Sequence, residues 1–392
     1  MRRTILAIAA AVAAFPSFGQ VATDGSAGAR TTLTGPRYGI ADTLGTRVGR
    51  NLLHSFSVFN IRPGEQATFT GRSVVDSIIA RITGGSPSTI DGAIRVEMAG
   101  ANLFLVNPSG LVFGPGASID VPAAFYASTA QSMRFADGTV IDMRAASPVS
   151  LTAAAPSAFG FESAGAAIAL SGAQLRAREG NRVALVGGDV TLSRSAAGRV
   201  AVLAAPSGSV DVVATRGAGS VAIGDRLDSA GFAAMGDVTI SGGSTLSASE
   251  GTGRRGGGTV FVRGGDVTLD HALVESRTRF ADSRGIDIGA AGRLAIDASD
   301  VVAVTTGAGN AGYLRLAGRD IAISGGSLVD TSCDPGCTTG RGGDLSIAAG
   351  NGLSITGNDP GRPTFVVSNS FGGGATGPIA ITTGGAFTMS GT

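Results

Sequence analysis

From about residue 180 onward the chain repeats one pattern: an apolar-x-apolar run, a short glycine-bearing corner, a second such run and a longer polar link. It reads VALVGGDVTL at 183–192, VFVRGGDVTL at 260–269, IDIGAAGRLAI at 286–296, LRLAGRDIAI at 314–323, LSIAAGNGLSI at 345–355 and IAITTGGAFTM at 379–389. The unit recurs at Val260, Ile286, Leu314, Leu345 and Ile379, intervals of 26, 28, 31 and 34 residues. A period of two within each run specifies strands, and a recurrence of this length specifies stacked repeats. One unit has too few apolar side chains to bury a face alone, so each must lie on the last. The expected fold is all-β: a parallel β-helix, with Val, Ile and Leu facing inward and Thr, Ser, Asp and Arg outward. The Gly-Asp pairs at Asp189, Asp237, Asp266 and Asp344 are expected to make corners, through glycines with φ > 0 or a side chain bonding its own turn. With about 20–25 residues per coil and ~4.8 Å per level, the mature chain predicts a rod roughly 70–90 Å long.

Composition narrows the chemistry. All 30 basic residues are arginine, which excludes a lysine Schiff base, a Walker phosphate clamp and a Ser-Lys dyad. A net charge of +1 gives no general footprint for nucleic acid. No cofactor or metal site is expected. The Gly-Asp corners lack the nine-residue spacing of calcium-binding repeats. GTGRRG at 251–256 fits G-x-G-x-x-G but leads into a strand, GGTVFV, instead of a helix that could meet a phosphate. Cys333 and Cys337 bracket Asp-Pro-Gly and are expected to close a small local disulfide; a zinc site would need further ligands, and His54 and His271 are distant in sequence.

Residues 1–19 read as an export signal: Met1-Arg2-Arg3, an apolar stretch from Ile5 to Phe15, and small residues at Ser17-Phe18-Gly19 ahead of a cut before Gln20. The apolar stretch is too short for a stable anchor, and no later segment offers the ~18 apolar residues of a spanning helix. Sec export is expected, with the twin-arginine route as the alternative.

Within ANLFLVNPSGLVFGPGASIDV (101–121), Asn107-Pro108-Ser109-Gly110 matches a type I turn position by position, between runs that lack alternation as strands covered on both faces do. No base neighbours Ser109, so the tetrad reads as a corner and not a nucleophile. Upstream lies NLLHSFSVFNI (51–61); downstream come ASTAQSMRFADG (127–138) and PSAFGF (156–161). In order and spacing this stretch resembles the N-terminal secretion domain of two-partner secretion exoproteins, the filamentous haemagglutinin family. Asn51 to Phe56 matches its N-L-F-H-S-F and Asn107 to Gly110 its N-P-N-G. Ser109 departs from the usual asparagine, and RITGGSPSTIDG (81–92) stands where the haemagglutinin branch carries N-P-N-L.

The resemblance implies a right-handed β-helix with N-terminal capping strands, recognised by periplasmic soluble domains of a dedicated outer-membrane transporter and released to the surface or medium of a Gram-negative bacterium. It implies a secretion domain over 20–250 with core motifs at 51–138, followed by further β-helix coils over 251–392. The recognition residues would be Asn51, His54, Ser55, Phe56, Asn60, Asn107, Pro108 and Gly110, in mostly architectural roles. Phe56 and Phe59 would pack the first coils, and the Asn-Pro turn would present a strand edge to which an extended partner could add. His54 is expected to be a partly buried, hydrogen-bonded ring, and His271 a coil-surface residue. No catalytic residue is assigned, and the later coils would act as an adhesin or displayed stalk, with a host or neighbouring cell surface as a further partner.

Two other readings compete. Parallel β-helices also carry polysaccharide-cleaving enzymes, which need clustered carboxylates in one groove; here most aspartates follow glycine at corners. An autotransporter passenger would need a C-terminal membrane barrel of ~10-residue strands, which these residues do not contain. The chain stops three residues after its last apolar run with no polar cap in view, so either a longer protein continues or the last coil meets a partner.

Overall fold

The computed structural model describes residues 20–253, 255–357 and 361–391; the signal segment lies outside the described residues. The chain winds as a parallel β-helix whose coils each carry up to three strands, one per face. The first face begins with Asn51–Phe59, Ser77–Ile82, Asn102–Val106 and Phe125–Ser128 and runs on through Arg182–Gly187, Ser209–Ala214, Thr259–Gly264 and Gly285–Ala290. The second face includes Ser88–Ile90, Leu111–Phe113, Ile168–Ser171 and Val190–Ser193. The third is an 11-stranded sheet from Arg37–Ala41 to Phe365–Val367. In Tyr313–Ser324 and Leu345–Thr356 the first two faces merge into single long strands.

Register follows from the apolar alternation. Val183, Leu185, Val210, Val212, Val260, Val262, Ile286 and Ile288 stack inward in one continuous core. A one-residue slip would turn that whole row to solvent, so the pattern fixes the pairing.

Two features close the N-terminal end. Val21–Thr23 and Thr46–Val48 pair antiparallel with the outer edge of Asn51–Phe59 and cap it. Ser132–Phe135, Val140–Asp142, Pro156–Phe161 and Gly219–Ala222 leave the coil and form a four-stranded antiparallel sheet. A second apolar core lies where this sheet packs, from Leu53, Ile79, Phe104 and Tyr126 to Met133, Phe159 and Phe161.

Three sequence expectations need correction. Eleven levels at ~4.8 Å make a rod of about 50 Å, shorter than expected, because residues 129–166 and 215–235 build the covering layer instead of coils. The Gly-Asp corners do not bond their own turns: Asp189, Asp237 and Asp266 each accept from a backbone N–H of the next coil, at Asp237 (2.9 Å), Asp266 (2.9 Å) and Arg293 (2.7 Å). The glycines beside them are there for close approach and not for φ > 0, since a Cβ on Gly265 would lie 2.6 Å from the Met235 carbonyl oxygen. Asp344 stands at a different corner, ion-paired to Arg341 at 2.9 Å.

The widening repeat interval has a simple origin. The link from the third face to the next first-face strand is short at 205–208, but spans 248–258, 276–284, 303–312 and 331–344 further on. The last interval, to Ile379, widens instead between Thr356 and Phe365, but as far as Leu345 the growth is at this one corner. Cys333 and Cys337 are bonded within it and buried, with Cys333 stacked between Thr305 and Ser370.

Candidate functional site

The residues singled out by the sequence fall into two groups. Asn51, His54, Ser55 and Phe56 lie on the first strand of the helix, where alternation sends His54 and Phe56 inward and Ser55 outward, beneath the cap. Their exposures are 2%, 0%, 2% and 0%. Phe56 meets Phe59 edge-on at 5.1 Å between ring centroids, and both fill the first coil. Asn51 donates its side-chain amide to the carbonyls of Thr152 (2.9 Å) and Ala154 (2.6 Å), pinning the end of the loop before the covering strand Pro156–Phe161.

The His54 ring is fully buried, where a partly buried one was expected, and neither nitrogen makes a well-formed hydrogen bond, the Leu44 carbonyl being the backbone group that acts on it. It packs against Phe69 at 5.6 Å and Phe56 at 6.1 Å. Burial in this apolar setting pushes its pKa down to about 4, only partly offset by the charge of Asp42 and by the Leu44 carbonyl, so the ring is neutral at pH 7. Among the described residues, neither ring nitrogen is hydrogen-bonded to a nucleophile or a carboxylate. His271 lies on the surface, 2.6 Å from Asp270.

Ser55 leads to a residue that sequence reasoning missed. Arg81, fully buried on the adjacent coil, donates to the hydroxyls of Ser55 (2.9 Å) and Ser26 (2.6 Å) and to the carbonyls of Asp142 (3.0 Å) and Ser147 (3.2 Å). Both hydroxyls then donate to the carboxylate of Asp24, each at 2.6 Å, and Thr83 donates to it at 2.6 Å. The result is a charge pair bridged by two hydroxyls, tying cap, first coil, second coil and covering layer together. Burial works to raise the Asp24 pKa, but the hydrogen bonds from Ser26, Ser55 and Thr83 outweigh it and hold the carboxyl below its usual range. The signal was legible in SIIARI at 77–82: one arginine inside an apolar strand must find partners.

The second group sits at the first corner. Gly110 N–H donates to the Asn107 carbonyl at 3.0 Å and Ser109 N–H to the Asn107 side chain at 2.9 Å, closing the turn, with Gly110 at φ +121°. The buried Asn107 amide also reaches the previous coil, donating to the Ser86 carbonyl and the Ser88 hydroxyl at 3.0 Å each. From the other side the Asn60 side chain accepts from Thr89 N–H at 2.8 Å. Strand Ser88–Ile90 is thus gripped by both asparagines. Pro108 presets the turn and is half-buried.

The turn presents no free strand edge. Asn102–Val106 and Leu111–Phe113, on either side of it, are each paired with a strand above and below. Among the described residues, the edges left unpaired at this end include those of Arg37–Ala41, which pairs with Gln66–Thr70, and Thr46–Val48, which pairs with Asn51–Phe59.

Residues 19–260 match the family model of the TPS secretion domain. The chain belongs to that family. As a two-partner secretion exoprotein it is secreted by a Gram-negative bacterium and recognised by an outer-membrane transporter. Among solved structures it is similar to the HMW1 secretion domain from Haemophilus influenzae, at 14% identity and a TM-score of 0.45 over 90% of this chain and 98% of that one. It is also similar to the filamentous hemagglutinin secretion domain, at 15% identity and 0.34 over 88% and 91%. No curated protein matches it. In this secretion domain, no three His, Cys, Asp or Glu side chains among the described residues gather to hold a metal, and no helix is long and apolar enough to cross a membrane.

Proposed function

We propose that residues 51–110 are read by periplasmic soluble domains of the transporter while the chain is still extended, and that the β-helix folds afterwards, at or beyond the cell surface. One observation carries this reading: Asn51, His54, Ser55, Phe56 and Asn107 are at most 2% exposed once folded, so a partner can touch their side chains only beforehand. The order of closure supports it. Asn51 needs Thr152 and Ala154, and Arg81 needs Asp142 and Ser147, so the first coils stay incomplete until the chain as far as residue 154 is available. Later coils add one neighbour at a time, which suits emergence from a pore. In this reading the folded β-helix is non-enzymatic and serves as an adhesin or displayed stalk against a host or neighbouring cell.

The test is release from a Gram-negative host with and without the transporter, comparing the unaltered chain, a deletion of 51–110 and Asn107→Ala. Transporter-dependent release, abolished by the deletion and reduced several-fold by Asn107→Ala, is the expected result. Equal release without the transporter, or with 51–110 removed, would overturn the proposal.

A further inference from the structure

Where the covering layer ends, the first face opens into a groove of about 740 Å³. Its wall is the descending segment that carries Arg226, Phe232 and Met235. Its floor is small and close to the backbone, at Gly264, Gly289 and Ala290. Register places Asp211, Phe261, Asp287 and Arg315 in one outward row on successive coils. Higher in this row Asp211 is consumed by a structural pair: it lies 2.9 Å from Arg182, which also clamps the strap above through the carbonyls of Gly224 (2.8 Å) and Asp225. At the groove the arrangement reverses, with several cations around one acid.

Asp287 is 2% exposed and meets three guanidinium groups: Arg263 at 2.8 Å, Arg226 at 3.2 Å and Arg315 at 3.8 Å. Arg263 is held rigidly, 4.1 Å over the Phe261 ring, with further bonds to the carbonyls of Val262 (2.8 Å) and Asp287 (3.1 Å). Arg226 lies 5.1 Å over the same ring, and Arg315 lies 5.5 Å over Tyr313. The other carboxylate on the wall, Asp228, accepts from the Ala230 N–H at 2.9 Å. Three guanidiniums thus face two carboxylates, one of them buried, while Arg226 and Arg315 remain more than half exposed. Arg226 has one hydrogen bond to protein among the described residues and Arg315 none, so most of their donors are free for a ligand.

We propose that this groove binds a carboxylated sugar unit of an acidic glycan. Planar guanidinium forks match a carboxylate bidentately, and stacking on aromatic rings removes the entropy cost of aligning them. A volume of this size takes one or two sugar rings. Gly289 lies beneath the Arg263 side chain, whose Cδ, Cζ and Nε stand 3.1–3.2 Å from where a Cβ would sit, so a ring would rest on that guanidinium, with Phe232 and Met235 as an apolar side wall. This gives the adhesive reading a ligand class, and rests on that reading only for its biological setting, because binding is measured on folded chain in solution and is independent of export.

The test is calorimetric titration of the purified chain with trigalacturonate at low salt. Neutral maltotriose, a sulfated trisaccharide and triglutamate are the comparison ligands. Variants are Arg226→Ala, Arg315→Ala and, as a distant control on the third face, Arg176→Ala. Saturable binding of trigalacturonate, weakened at least tenfold by Arg226→Ala, more modestly by Arg315→Ala and less than twofold by Arg176→Ala, is expected. Arg226 lines the groove and Arg315 stands beside it across Asp287; both side chains are more than half exposed, and unchanged circular dichroism and melting would confirm intact folding. No saturable binding, equal binding of maltotriose, or insensitivity to Arg226→Ala would overturn the site. Tighter binding of the sulfated sugar would overturn the carboxylate assignment, and tighter binding of triglutamate the sugar.

Discussion

The first face of the β-helix has two different exteriors. As far as Tyr126 and Ala184 it lies beneath the antiparallel sheet, and polar side chains there are buried and bonded, as with Arg81 and Asp24. From Gly285 on the same face is open, Asp287 collects arginines from the solvent side, and structural elaboration moves to the corner loops. The coil interior is one continuous apolar core through both. Stacked repeats therefore specify the rod, while the covering layer adds long-range contacts that a solenoid does not otherwise have. Those contacts, between residues 61 and 103 positions apart, make the N-terminal coils close as a unit.

Breaking that unit should cost most. Arg81→Ala leaves a cavity, removes the cation bridged to the Asp24 carboxylate and takes a donor from the Asp142 and Ser147 carbonyls, with an expected loss of about 3–5 kcal/mol. The contrasting Arg315→Ala on the open face should change stability by no more than about 0.5 kcal/mol. Denaturant melts of both variants read this directly, and comparable losses would erase the distinction between the two exteriors.

Acid should act on the covered end next. The folded His54 pKa of about 4 lies below the ordinary 6.5, so the unfolded chain binds the proton first. Stability is then fully present above pH 6.5 and falls as pH drops towards 4, by about 3 kcal/mol in all. Asp24, whose pKa is also lowered, adds a loss below its ordinary value of 3.8. His54→Leu should flatten the decline between pH 6.5 and 4, and hydrogen exchange should show the first coils opening before the later ones. A decline unchanged by the substitution would contradict the burial argument.

A smaller effect than that of either Arg81 or His54 is expected at the corners. Asp237→Ala removes one bond to the next coil, to Asp266 N–H, and one exposed pairing with Arg216, for roughly 1 kcal/mol. A loss several times larger would mean that corners, and not the interior, set the cohesion of the rod.

The sequence carried some of these features plainly and hid others. Alternation at 183–192 and its repeats fixed strand type, inward row and stacking, because each depends only on nearby residues. The turn at Asn107–Gly110 was readable for the same reason. Its reach to Ser86 and Ser88 was not, since that depends on which coil lies alongside. The covering sheet at 132–161 and 219–222 was invisible: its strands are short, and their partners lie as far apart as Phe159 and Val221. The Gly-Asp corners were assigned the right residues for the wrong reason, because a local turn and an intercoil bond use the same pair. The motif residues could be named from the sequence, but how deeply they lie could not. Asn51 and Ser55 were expected in mostly architectural roles, and it is the cap and the cover that bury them.

Whether recognition precedes folding is tested most directly by binding of this chain to the isolated periplasmic domains of its transporter, comparing fully folded protein with protein freshly diluted from denaturant. Buried motif residues predict at least tenfold tighter binding of the unfolded chain, fading as the first coils close. Equal affinity of the folded protein would show that the transporter reads the exterior of the β-helix, and would contradict the account.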